Sequence, residues 1–265
     1  FAKVFFTDSG SSGVEVALKM ALHWQQLAGR PERTRYATLE NGYHGETVGA
    51  LSVSDLGLYA DPYRPLLFPS TVLSGLPYRQ GPEDPRWRDA ADEWPAIAAQ
   101  LDGQGGSLAA IIYEPVLQGA GGMRILSPDL LPRLRRWADA HDVLLIADEV
   151  ASGMGRCGAM LASHLADGGE ADLAGVSKAL TSGRLPLCCV LATQRIYDAF
   201  LGSWASRRAF LHSNTYAGNA LAVAAGDATL RVLRDEGLCQ RAAATGARLR
   251  AHLAAARHPR LSPVR

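Results

Sequence analysis

Lys178 closes an apolar run in Ala-Asp-Leu-Ala-Gly-Val-Ser-Lys-Ala-Leu-Thr-Ser-Gly (171–183), and Asp148 closes the run before it, Ile-Ala-Asp-Glu-Val (146–150). An ε-amine and a carboxylate delivered by the ends of successive strands suit chemistry on pyridoxal phosphate. That cofactor needs an amine to hold its aldehyde as a Schiff base and a carboxylate to keep its ring nitrogen protonated. Open α/β sheets gather such groups at strand C-terminal ends. The residues around Lys178, from Leu173 to Leu180, are otherwise uncharged. A desolvated, nucleophilic lysine is therefore expected there. A buried Asp148 needs a cation beside it: the pyridinium N–H, or Arg156 in a structural ion pair. Val150 projects to the same side as Asp148, where it can pack on the ring face.

Four further stretches carry polar or flexible residues at element boundaries. Asp8-Ser9-Gly10-Ser11-Ser12-Gly13 lies between a strand and an amphipathic helix. It reads as an anion site of free N–H groups and hydroxyls, or as a simple capped helix start. In Asn41-Gly42-Tyr43-His44-Gly45-Glu46-Thr47, Tyr43 can stack on a pyridine ring. His44 reads either as a structural, hydrogen-bonded imidazole or as a cofactor contact. Glu114-Pro115-Val116-Leu117-Gln118-Gly119-Ala120-Gly121-Gly122 follows another strand, and Glu114 there organises the site rather than reacting. Finally, His212-Ser213-Asn214-Thr215-Tyr216-Ala217-Gly218-Asn219 opens a helix, where Thr215 is a plain N-cap or a second phosphate contact. No His, Cys or Asp grouping has metal-ligand spacing, so no metal is expected.

The elements that must position these groups alternate. Strand-like runs at Val4–Thr7, Arg35–Leu39, Leu108–Tyr113, Val143–Ala147, Leu173–Val176 and Leu187–Ala192 are separated by helix-period segments. The helical stripes include Val14, Ala17, Leu18, Ala21 and Leu22, and later Leu130, Leu134 and Trp137. This pattern predicts an α/β fold with a mostly parallel sheet flanked by helices. Two Ala/Leu-rich helices broken near Gly237 are expected between Ala217 and Ala256. Residues 55–95 are rich in proline and read as an ordered surface excursion anchored by Tyr59, Tyr63, Phe68 and Trp87. One cofactor domain over 1–240 is expected, with 241–265 starting a connection to something else.

At 265 residues, with 27 basic and 26 acidic side chains, the chain offers no electrostatic case for nucleic acid or an anionic membrane. No apolar stretch reaches the length of a membrane span. Cys157, Cys188, Cys189 and Cys239 read as buried reduced thiols, which fits a cytoplasmic setting. The sequence opens without Met, in a strand-like run, and stops just after Pro259-Arg260-Leu261. A fragment lacking parts at both ends is expected.

Together, Asp-Ser-Gly-Ser, Asn-Gly-Tyr-His-Gly-Glu-Thr, Glu-Pro-Val-Leu-Gln-Gly-Ala-Gly-Gly-Met, Ala-Asp-Glu-Val-Ala-Ser-Gly-Met-Gly-Arg and Ser-Lys-Ala-Leu-Thr-Ser-Gly resemble, in order, the class III PLP-dependent aminotransferases. Ala151 and the run Gln118–Met123 resemble the branch that aminates 8-amino-7-oxononanoate in biotin formation. The resemblance implies the large domain of PLP fold type I and a homodimer with shared active sites. It implies Lys178 as the Schiff-base lysine, Asp148 on the ring nitrogen, Gly10 and Ser11 on the phosphate, and Tyr43 stacked on the ring and touching substrate. Ser213 corresponds to a substrate contact, Asn214 and Thr215 to a phosphate contact reaching across from the other subunit, and Arg156 to an arginine near the substrate channel. The implied substrates are a small amino donor, S-adenosylmethionine or lysine, and a keto acceptor. Glu46, Ser213-Asn214, Met154, Cys157 and Arg184 depart from the commoner residues without removing a reacting group. The resemblance also implies an N-terminal aromatic segment and a C-terminal small domain with a carboxylate-binding Arg beyond this sequence.

Overall fold

The computed structural model describes residues 1–104 and 106–256. Its strands are Lys3–Thr7 (β1), Arg35–Leu39 (β2), Thr71–Leu73 (β3), Tyr78–Arg79 (β4), Leu108–Tyr113 (β5), Leu117–Gln118 (β6), Arg124–Leu126 (β7), Leu144–Asp148 (β8), Leu173–Val176 (β9) and Cys188–Ala192 (β10). The α-helices are Gly10–Leu27 (α1), Val48–Ser52 (α2), Gly57–Ala60 (α3), Trp94–Asp102 (α4), Leu130–Ala140 (α5), Gln194–Ala199 (α6), Ala220–Asp235 (α7) and Leu238–Ala255 (α8).

Seven strands form one sheet in the order β1-β10-β9-β8-β5-β2-β3. From β9 to β3 the strands run parallel, whereas β10 is antiparallel to both of its neighbours. All six residues of β5 and all five of β8 are buried, as expected of strands covered on both faces. Successive side chains then serve opposite cores. Ile111, Tyr113, Leu145 and Ala147 join α4 and α5 on one face. Ala110, Ile112, Leu144 and Ile146 join the Val14–Ala21 stripe of α1 on the other. Each fully buried Leu or Ile contributes about 1.5–3 kcal/mol, so this two-sided packing fixes the strand ends on which the polar residues sit.

Five strands (β1, β2, β5, β8 and β9) end at the same edge of the sheet and lead into Gly10, Tyr43, Glu114, Asp148 and Lys178, respectively. Residues 55–95 differ in part from the sequence reading. They contribute the edge strand β3, and their buried anchors are Leu73, Leu76 and Ala90, with Trp87 packed on the core. Tyr63 is exposed, Tyr59 packs its ring against Tyr43, and Phe68 against Tyr36. A small sheet in the order β4-β7-β6 ties this excursion to the loop after Glu114. All four cysteines are free thiols. None of the helices in the described residues is long and apolar enough to cross a membrane. The expected connection at 241–265 falls within α8 up to Ala255, and its part from 257 onward lies outside the described residues.

Candidate active site

A cavity of about 210 Å³ opens at this edge of the sheet; Gly10, Ser11, Tyr43, His44, Glu114, Asp148, Val150 and Lys178 are among the residues lining it. Its floor is the carboxylate of Asp148, which is 5% exposed. Asp148 Oδ2 accepts a hydrogen bond from His44 Nδ1 at 2.7 Å, and Oδ1 accepts from the Val150 N–H at 3.0 Å. The acceptor on Nδ1 is a carboxylate, so that nitrogen carries the proton; Nε2 faces the Thr38 hydroxyl at 3.4 Å. An ion pair between Asp148 and Arg156 does not form: the partner is His44, and Arg156 is exposed on an adjoining chamber of about 860 Å³ that also touches Lys178. His44 is thus a hydrogen-bonded structural imidazole that also borders the cleft. The side chains of an ionised Asp have about four lone-pair sites, and two are used here, so Asp148 keeps acceptor capacity toward the cavity.

Lys178 reaches the cavity through an unusual backbone. Ser177 at the end of β9 anchors its hydroxyl on the Leu187 carbonyl at 2.7 Å, and Lys178 then takes φ of +40°. The left-handed turn swings the side chain off the strand line into the opening. The expected desolvation is not found, because Lys178 is exposed. Its apolar neighbours Val176 and Leu180 point the other way, into the cluster beneath α7.

At the opposite wall, Ser9 caps α1 by accepting from the Ser12 N–H, and Gly13 N–H bonds the Ser9 carbonyl. Helical geometry leaves the Gly10 and Ser11 N–H groups without intrahelical acceptors, beside the positive end of an 18-residue helix. Gly10 is needed here for space: a Cβ would sit 2.9 Å from Val150 Cγ1. Val150 therefore packs directly under the start of α1.

Tyr43 is half-buried, with its hydroxyl donating to Glu46 Oε1 at 2.7 Å and its ring 5.4 Å from that of Tyr59. Burial and the Glu46 carboxylate push the phenol up to about 12, so it is protonated at neutral pH. The far end of its loop is held by Glu15 of α1, which accepts from the Gly49 and Ala50 N–H groups of α2. Glu114 accepts from the Tyr43 and Gly119 N–H groups at 3.0 Å each. Burial pushes its carboxyl up to about 7, with His44 opposing the rise and Asp148 adding to it.

Ser213, Asn214 and Thr215 are not among the residues that line this cavity. Ser213 and Thr215 are exposed, and Asn214 donates to Asp8 Oδ1 at 3.4 Å. Sequence reasoning did not pair His44 with Asp148 and did not single out Ser177, which also lines the cavity. Ser177 was legible in principle, as the residue that must turn the chain ahead of Lys178.

A family model described as aminotransferase class-III matches residues 2–265. This chain belongs to the class-III aminotransferases. Within that family it is 43% identical over 237 residues to the adenosylmethionine-8-amino-7-oxononanoate aminotransferase of Synechococcus elongatus, covering 88% of this chain and 54% of that one. It is 39% identical over 245 residues to the enzyme of the same name from Geobacter sulfurreducens, covering 89% and 52%. Among solved structures, a PLP-bound amine transaminase from an uncultivated Pseudomonas species superimposes with a TM-score of 0.84 at 39% identity, covering 94% and 56%. The adenosylmethionine-8-amino-7-oxononanoate aminotransferase of Methanocaldococcus jannaschii gives 0.80 at 31% identity, covering 90% and 52%. The chain spans about half the length of the curated relatives it matches.

Proposed function

We propose that this chain holds pyridoxal phosphate in the cleft and serves the transamination of 8-amino-7-oxononanoate to 7,8-diaminononanoate, with S-adenosylmethionine as amino donor. The observation that carries the cofactor reading is the gathering of Lys178, Asp148, Gly10, Ser11 and Tyr43 around one cavity. The residues fit the group. An anion is matched by the free N–H groups of Gly10 and Ser11 at the start of α1, and a ring N–H by the remaining acceptor sites of Asp148. Tyr43 and Val150, which both line the cavity, would be the residues to pack on a flat ring. When bound, the cofactor supplies an aldehyde for attachment to amines and a protonated ring that withdraws electrons from them.

The chain's own residues do the rest. Lys178, whose side chain lines the cavity, would be the amine to hold the cofactor's aldehyde and, once free, the base to move a proton at the donor's α-carbon. Asp148 would keep the ring nitrogen protonated, and His44, beside the Thr38 hydroxyl, holds that carboxylate through its Nδ1–H. Glu46 holds the Tyr43 phenol so that its ring stays in the cleft. Arg156, in the adjoining chamber, stands near the channel by which substrate would reach Lys178. Asn214 and Thr215 serve the phosphate of the second site in a homodimer, and Ser213 a substrate contact; none of the three lines this chain's own cavity.

Borohydride reduction of the chain with pyridoxal phosphate, followed by peptide mapping, tests the cofactor reading: the adduct is expected on Lys178, and an adduct elsewhere sinks it. A second reading, another class III transaminase acting on ω-amines or ω-amino acids, is favoured by the 39% identical amine transaminase structure. Turnover of 8-amino-7-oxononanoate with S-adenosylmethionine, measured against ω-amines with pyruvate, separates the two.

A further inference from the structure

Glu114 takes no part in the reaction steps above, yet it is 4% exposed and borders the cleft. Its two oxygens are divided between two loops. Oε2 accepts from Tyr43 in the 41–47 loop, and Oε1 from Gly119 in the 114–123 loop. The same loops meet at two more places. Gln118 Nε2 donates to the Glu40 carbonyl at 2.8 Å, while its Oε1 accepts from the Tyr78 hydroxyl, which also receives Asn41 Nδ2. Gly121 lies so close to Asn41 that a side chain there would overlap the Asn41 carbonyl. Of these junctions, the one at Glu114 changes charge near neutrality.

We propose that Glu114 is a positioning residue: as a carboxylate it latches the Tyr43 loop to the Gly119 loop, and a ring cation settling on Asp148 favours that latched form. The second half rests on the cofactor reading; the first does not. A carboxylate accepts both N–H groups, whereas a neutral acid gives up one good acceptor for a hydroxyl. Two titratable side chains act on Glu114 through their charge, His44 from the loop after β2 and Asp148 from the end of β8, while Tyr43 and Lys178 line the same cavity. Asp148 opposes ionisation of Glu114 and His44 favours it. A cation bound by Asp148 cancels the opposing charge, so binding expels the Glu114 proton. By reciprocity, deprotonation of Glu114 strengthens binding of that cation.

The test uses the full chain, with pyridoxal phosphate as the probe. Exchange of the Tyr43 and Gly119 amides, measured without cofactor and corrected for intrinsic rates, is expected to show about tenfold greater protection at about pH 8 than at about pH 6. In Glu114→Gln that pH dependence disappears, and affinity for the cofactor at about pH 8 falls about tenfold. Glu114→Asp, which keeps a carboxylate, restores part of the pH dependence. A residue that merely filled space would lower thermal stability without moving these profiles. Wild-type protection that is flat across this range overturns the latch, and needs no variant to fold. So does a Glu114→Gln chain whose affinity follows the wild-type pH profile. If the amides follow pH but the cofactor attaches away from Lys178, the latch stands and the cofactor reading falls.

Discussion

Asp148 and Asp172 are buried carboxylates at opposite ends of neighbouring parallel strands, and the chain surrounds them differently. Asp172, just ahead of β9, accepts from Arg135 Nη1 and the Leu145 N–H at 2.9 Å each, and from the Arg195 guanidinium. Asp148, at the end of β8, has one imidazole and one backbone N–H, with Glu114 near enough to feel its charge. Two guanidinium groups neutralise the first end from within the fold. Asp148 has no guanidinium partner, and under the proposed function the cation it meets would arrive with the cofactor. A buried acid at one end of a strand therefore locks the fold, and at the other leaves acceptor sites open to the cleft.

The largest expected effect is at the cleft. Lys178→Ala should cut turnover by at least about 10²–10⁴-fold while leaving the urea midpoint unchanged, because Lys178 is exposed; a variant that kept its rate would refute the mechanism. Next, Asp172→Ala should destabilise the chain by about 3–5 kcal/mol, since it strands two cations. Asp148→Ala should cost clearly less, because it strands no guanidinium. Equal losses in urea titrations would erase the contrast between the two ends. Asp148→Asn should fold normally and lose about a hundredfold in activity, read from steady-state kinetics beside the absorbance of bound cofactor.

A pH series sharpens the contrast further. Glu114 binds its proton more tightly in the folded chain, at about 7, than in the unfolded one. Its contribution to stability is therefore complete below the ordinary carboxylate range and is lost as pH rises through about 7. Glu114→Gln should remove that decline from unfolding curves; an unchanged slope would assign it to another group. Smallest of all, Tyr43→Phe loses only the Glu46 bond and should cost about 1 kcal/mol or less in cofactor binding.

Much of this architecture was legible because β5 and β8 are near-continuous apolar runs, the first followed by Glu114 and the second ending in Asp148. The strand β3 was not, since three residues inside a proline-rich stretch carry no readable period, and the two- and three-residue strands of the small sheet carry even less. Lys178 and Asp148 stood out by their places at strand ends. The bond from His44 to Asp148 joins residues 104 apart in sequence, which only the crossing order of the strands brings together. The expected desolvation of Lys178 failed for a local reason: one left-handed residue turned the amine outward while its neighbours turned inward. Ser213, Asn214 and Thr215 were visible as a motif, but nothing in their spacing showed on which side of the sheet they would lie.

That left-handed residue has an evolutionary cost. At φ of +40° a glycine is at ease and a lysine is not, by about 1 kcal/mol or more. Selection for heat resistance alone would favour glycine at position 178. A library screened only for survival at high temperature should discard this lysine early, and under the proposed function thermostabilised descendants will keep it only where transamination is selected as well.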